Sequence, residues 1–175
     1  MNPFQRIHRI HRIQLTALIV MAALLLGGCS TAPPAPQGSA ALATWSPPSR
    51  LLPGEADDIT LYALGLVGTP YRFGGNTPNS GFDCSGLIGH VYLTSARVAP
   101  PRTVSNLNRW GQPVSKNQVQ TGDLVFFSQS DVATHAGIYV GEDRFVHAPS
   151  TGGEVRLDSL NSKYWASQQV SFRRP

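Results

Sequence analysis

A cysteine standing where a loop gives way to a helix constrains this chain more than any other feature. In Gly81-Phe82-Asp83-Cys84-Ser85-Gly86-Leu87, followed by Ile88, Val91 and Tyr92, apolar residues recur at helical spacing and predict a buried helical face starting at or just after Cys84. Asp83 is suited to cap that helix. The first turn of a helix holds unpaired backbone N–H groups and about half a positive charge, which favours thiolate over thiol and predisposes a cysteine there to attack a carbonyl. A lone cysteine is equally an ordinary small core residue, so the weight falls on what accompanies it further along.

The chain has 175 residues, and its first part is read as a leader. Arg6, His8, Arg9, His11 and Arg12 precede an apolar run from Leu15 to Leu26, about a dozen residues and short of the roughly 20 that a membrane span needs. Leu26-Gly27-Gly28-Cys29 resembles a bacterial lipobox, which implies a signal peptide over 1–28, acylation of Cys29 and, with Ser30 following, an anchor in the outer membrane facing the periplasm. Removing Arg6, Arg9 and Arg12 with the leader leaves 11 basic against 10 acidic side chains, so the formal charge falls from +4 to +1. Nucleic acid is therefore not an implied partner. With Cys29 lipidated, Cys84 stands alone and no disulfide is available to a monomer. A free thiol in an oxidising compartment points to chemistry.

Residues 29–53 are rich in Pro, Ala and Ser and predict a tether. Residues 54–175 are one domain's worth of chain. Ile59, Tyr62, Ala63, Leu66 and Val67 mark a helix that Gly68 and Pro70 end. Val104 to Trp110 predicts a short helix capped by Thr103 and stopped by Gly111. The period then changes to two: strands are expected at Leu124–Phe127, His135–Val140, Arg144–Ala148 and around Gln169–Phe172. Helices first and an antiparallel meander second make an α+β domain.

Loop length between the second and third strands determines whether two histidines meet. A two-residue loop, Glu142-Asp143, would pair Ile138 with His147 and turn the two imidazoles to opposite faces, whereas a three-residue loop, Gly141-Glu142-Asp143, pairs Gly137 with His147 and sets both on one face. The three-residue loop is expected, with Asp143 in a left-handed conformation. His135 then serves as the base for the Cys84 thiol, His147 orients it, and the Cys84 backbone N–H offers an oxyanion donor.

These residues lie in blocks that together resemble the NlpC family of bacterial cell-wall cysteine peptidases: Thr69-Pro70-Tyr71-Arg72-Phe73-Gly74-Gly75, the Cys84 block, Gly122-Asp123-Leu124-Val125-Phe126-Phe127, His135-Ala136-Gly137-Ile138-Tyr139-Val140 and Phe145-Val146-His147-Ala148. Thr121 stands where the family often has proline. The resemblance implies a papain-like α+β core, with N-terminal helices packed on an antiparallel sheet, and hydrolysis of peptide stems in peptidoglycan. It implies Cys84 as nucleophile, His135 as base and His147 as the orienting residue. Tyr71 matches a hydroxyl near the oxyanion, Asp83 and Ser85 match cleft positions, and Arg72 and Arg102 are expected to meet substrate carboxylates. No cofactor or metal is called for, and a monomer is expected.

Three other readings are open on the residues alone. An amidase or acyltransferase would use the same three side chains on another carbonyl. A wall-binding lipoprotein would be expected to have lost one of them. A zinc site of Cys84, His135 and His147 lacks the close ligand pairs such sites carry. Relatives without a separate wall-binding module favour the cross-link between diaminopimelate and D-alanine over the γ-D-glutamyl bond.

Overall fold

The computed structural model describes residues 50–150 and 153–175; the expected leader, Cys29 and most of the tether lie outside them. The first helix, α1 (Glu55–Gly65), buries Ile59 and Ala63, and the chain turns out of it through Gly68 at φ 91°, two residues before Pro70. Two short strands, β1 (Asn76–Thr77) and β2 (Gly81–Phe82), pair antiparallel and deliver the chain to α2 (Cys84–Ala96). A single turn of helix, α3 (Val104–Leu107), is capped by the Thr103 hydroxyl, which accepts the Asn106 N–H at 3.3 Å. Helices expected at these places are therefore present, the last of them shorter.

Six antiparallel strands follow: β3 (Gln112–Val114), β4 (Leu124–Gln129), β5 (Val132–Gly141), β6 (Arg144–His147), β7 (Arg156–Ser159) and β8 (Gln169–Arg174), in the spatial order β3-β8-β4-β5-β6-β7. One face packs Leu124, Phe126, Ala136, Ile138 and Val146 against Ile59, Leu87, Val91 and Tyr92 of the helices. The other packs Val125, Phe127, Tyr139, Phe145 and Phe172 beneath Trp165 and Leu160. Covering on both sides is why Leu124–Phe127 is a continuous apolar run without alternation. Arg174 at the end of β8 donates to both carboxylate oxygens of Asp123 at 2.9 and 2.8 Å, and both side chains are almost fully buried. The buried Tyr92 hydroxyl donates to the Gly122 carbonyl, tying α2 to the same corner.

The hairpin between β5 and β6 corrects the expected loop. The turn is the two-residue Glu142-Asp143, both at φ 52°, with Gly141 paired to Arg144. Val140 is an extra residue on β5, a bulge that restores the register so that Tyr139 faces Phe145 and Ile138 faces Val146. A two-residue turn with positive φ at both centres matches the twist of its strands; the bulge keeps His135 and His147 on the shared face that the longer loop would have given them.

Gly137 lies between them. A Cβ there would sit 2.8 Å from a Phe145 ring carbon, 2.9 Å from the Val146 carbonyl oxygen and 3.2 Å from the His147 Cβ. The Val146 oxygen belongs to the sheet and cannot swing aside. Gly137→Ala is accordingly expected to lower unfolding stability by about 1–3 kcal/mol, read from a denaturant midpoint. A variant as stable as the parent would show that β5 and β6 separate more easily than this packing allows.

Candidate active site

Asp83 holds the start of α2. One of its oxygens, Oδ1, accepts the Gly86 N–H at 2.7 Å and the Ser85 hydroxyl at 3.0 Å, while Oδ2 accepts the Gly74 N–H at 3.0 Å from the preceding loop. Arg102 closes the cluster: Nη1 reaches Asp83 Oδ1 at 2.8 Å and the Ser85 hydroxyl, and Nη2 reaches Asp83 Oδ2 at 3.0 Å and the Gly75 carbonyl at 3.2 Å. The helix comes this close to the loop because position 86 is glycine. A Cβ there would stand 2.0 Å from the Gly75 carbonyl oxygen. Arg102, expected to meet substrate carboxylates, is thus engaged by Asp83, and Asp83 with Ser85 braces the turn that carries the cysteine. Partial burial pushes the Asp83 carboxyl up, but Arg102 and the Gly86 N–H outweigh it and hold the group below the usual carboxylate range.

The thiol departs from the expectation set by a helix start. Burial and the adjacent Asp83 charge push Cys84 above the ordinary cysteine value, and the backbone N–H groups of Ser85, Ala136 and Cys84 itself offset this only in part. The start of a helix favours an anion, but loss of water and a carboxylate one residue away favour the neutral thiol more strongly. The contribution of the Ala136 amide places the sulfur against β5. Tyr71 lies on the loop bridged to Phe82 and is bonded through its N–H to Gly153; burial raises its phenol, and the proximity of Cys84 and Asp83, which disfavours a further anion, adds to this. Arg72 follows it and is exposed.

From β5 the site runs across the sheet as a relay. His135 Nε2 and His147 Nδ1 are 2.8 Å apart, and His147 Nε2 lies 3.0 Å from Asp158 Oδ2. A carboxylate can only accept, so His147 donates from Nε2 and must accept at Nδ1. His135 therefore donates from Nε2 and keeps Nδ1 as its acceptor, the nitrogen that a thiol requires. Asp158 Oδ2 also accepts the Trp165 indole N–H at 2.8 Å and the Arg156 Nε–H at 3.1 Å. Trp165 stacks on His135 at 5.7 Å between ring centroids and meets His147 edge-on at 5.2 Å, walling the relay from water. Burial, the neighbouring His147 and Arg156 push His135 down to about 3. Burial likewise brings His147 to about 4 against the pull of Asp158. Both imidazoles are neutral at pH 7. Among the described residues no group of three His, Cys, Asp or Glu side chains is arranged to hold a metal ion.

His135 and His147 are thus brought together from β5 and β6, and Cys84 at the start of α2 reaches the Ala136 amide of β5. Asp158 and Trp165 were missed because β7 and the turn of 3-10 helix at Trp165–Ser167 were not foreseen. A signal existed: Val155 and Leu157 pack toward the helices, so the alternation Val-Arg-Leu-Asp puts Arg156 and Asp158 on the opposite face, with Arg156 paired to His147 and Asp158 to Phe145.

Residues 68–174 match the model of the NlpC/P60 family. The chain is 39% identical over 112 residues to the murein DD-endopeptidase MepH of Escherichia coli strain K12, covering 62% of this chain and 41% of that protein. It is 38% identical over 125 residues to the gamma-DL-glutamyl hydrolase of Bacillus subtilis strain 168, covering 70% of this chain and 30% of that one. The chain spans less than half the length of either of these relatives. Its fold superposes on the NlpC/p60 domain of the peptidoglycan hydrolase SagA with a TM-score of 0.59 at 30% identity, covering 66% of this chain and 96% of that domain. The match over most of the folded domain, in sequence and in structure, makes this chain a member of the NlpC/P60 family.

Proposed function

We propose that this domain is a cysteine peptidase of the bacterial cell wall that hydrolyses an amide bond in peptidoglycan stem peptides or cross-links, with the diaminopimelate–D-alanine cross-link preferred over the γ-D-glutamyl bond. The observation that carries the reading is the relay from His135 through His147 to Asp158, with one tautomer allowed at each imidazole and with the Cys84 thiol bonded to the Ala136 amide next in sequence to His135. Relatives named as a murein DD-endopeptidase and a gamma-DL-glutamyl hydrolase support the substrate class.

In this reading the Cys84 thiol and His135 meet as a neutral pair. His135 Nδ1 takes the thiol proton as sulfur bonds to the scissile carbonyl carbon, and the resulting imidazolium is steadied through His147 by the Asp158 charge. The oxyanion is met by the Cys84 backbone N–H in the first turn of α2 and by the Tyr71 hydroxyl. Collapse of the tetrahedral intermediate breaks the carbon–nitrogen bond, His135 returns the proton to the departing amine, and a thioester remains. Water, deprotonated by His135, then releases the acid and regenerates the thiol. Asp83, Ser85 and Arg102 hold the nucleophile turn, with their exposed edges and Arg72 lining the acyl side of the cleft. Lipidation at Cys29 and an outer-membrane, periplasm-facing location for a monomeric enzyme complete the proposal. No helix among the described residues is long and apolar enough to cross a membrane.

Incubating the chain with purified Gram-negative peptidoglycan fragments is expected to yield new masses that name the cleaved bond, and Cys84→Ala should yield none. Fragments produced equally by both would sink the thiol mechanism. Because the thiol is raised and both histidines are lowered, alkylation of Cys84 by iodoacetamide should be slow at pH 7 and accelerate only above the ordinary cysteine range. A rate already on a plateau between pH 5 and 7 would mean a preformed thiolate–imidazolium pair instead. Asp158→Asn keeps the shape but frees the His147 tautomer. It should lower kcat by about 10- to 100-fold, part of the 10²–10⁴ that general-base catalysis supplies, with KM little changed and with the imidazole nitrogen-15 shifts of both histidines altered. Unchanged shifts beside a lower kcat would assign Asp158 a merely structural part.

A further inference from the structure

Beside His135 opens a cavity of about 380 Å³ lined by Gln129, Thr134, Tyr164, Trp165, Gln168 and Arg156. His135 is its one link to the catalytic groups described above, since Cys84, Tyr71, Asp83 and Arg102 are not among its lining residues. Its volume falls in the range of a binding pocket for a small ligand, and its walls are amides, hydroxyls and aromatic rings. Among the described residues that line it, Arg156 carries the one formal charge at neutral pH, since His135 is neutral. Arg156 is half exposed; its Nε and Nη2 lie against Asp158 at 3.1 and 2.9 Å, leaving Nη1 for the cavity.

His135 must hand its proton to the departing nitrogen, so the amine half of the substrate occupies the space that His135 borders. We infer that this cavity is the leaving-group subsite and that Arg156 selects an amine half with a free carboxylate on the carbon bonded to the scissile nitrogen. The inference rests on the peptidase reading above and narrows it. Release of the diaminopimelate–D-alanine cross-link gives an amine of this kind, as does removal of a terminal amino acid. Cleavage after γ-D-glutamate gives an amine whose neighbouring carboxyl is still amide-bonded onward. A guanidinium N–H left over from the Asp158 pair gives a carboxylate a charge-assisted hydrogen bond and gains nothing comparable from an amide. Asp158 pins Arg156 in place for the same reason that it pins His147, so one carboxylate orders both the base and the subsite. Arg156 also presses both imidazoles downward; a bound carboxylate relieves that pressure just when His135 must accept a proton.

The test uses two synthetic stem peptides identical except that the leaving residue ends in a carboxylate or a carboxamide. The unmutated chain should favour the acid in kcat/KM by about 10-fold or more, the size of one lost charge-assisted contact. Arg156→Gln should bring the acid-to-amide ratio toward one, and Arg156→Lys should retain part of it. A substitution that lowers both peptides in proportion, with the ratio held, overturns the subsite and makes Arg156 only a support for Asp158. Binding of the same two peptides to Cys84→Ala, measured by calorimetry, separates the two layers of the argument. Tighter binding of the acid without turnover by the unmutated chain overturns the hydrolase reading and leaves the subsite standing. Equal binding of acid and amide overturns the subsite whatever the turnover.

Discussion

The register between β5 and β6 is the constraint on which the site depends. Side chains alternate strictly across a sheet, so a slip of one residue would carry His147 to the helix-facing side and leave His135 without a partner. A two-residue turn taken alone imposes that slip. The extra residue at Val140 reverses it before the chain reaches Ile138 and Val146, and the missing side chain at Gly137 leaves room for the imidazoles to close to 2.8 Å. A local irregularity two residues from the turn thereby sets geometry at the far end of the hairpin.

A single carboxylate oxygen then propagates order in the other direction. Asp158 Oδ2 gathers donors from His147, Trp165 and Arg156, and because it can only accept, it dictates which nitrogen of each histidine carries a proton. Trp165 contributes twice, as a donor to that oxygen and as an apolar wall over both rings. The nucleophile end follows a different logic. There, Asp83 draws Gly86, Ser85, Gly74 and Arg102 together to build the turn, and the charge that does so disfavours a second anion on the neighbouring sulfur. The cap that positions Cys84 also favours its protonated form.

Local pattern made the two ends of this site legible separately. Asp83-Cys84 before Leu87, Ile88, Val91 and Tyr92 announces a capped helix with a thiol in its first turn, because capping and helical periodicity act over a few residues. The alternation of His135 with Gly137 and Tyr139, and of Phe145 with His147, announces which side chains share a face. Residues 156–158 were open to the same reading, but a four-residue strand with two charged side chains is a weak signal, and its meaning depends on pairing with β6. Arg102 shows the opposite failure: a basic residue read as a substrate contact turns out to be held by Asp83, 19 positions earlier, a distance over which sequence pattern carries no information.

The amino-acid order alone specified the principal helices and strands, their buried faces and the face that His135 shares with His147, since propensity, capping and periodicity are properties of short segments. The bulge at Val140, the tautomers imposed by Asp158, the elevated thiol and the Arg156 cavity emerge only when β5, β6, β7 and α2 lie side by side. They arise from hydrogen-bond direction, desolvation and charge proximity across strands, and those quantities have no value until distant segments share one low-dielectric space.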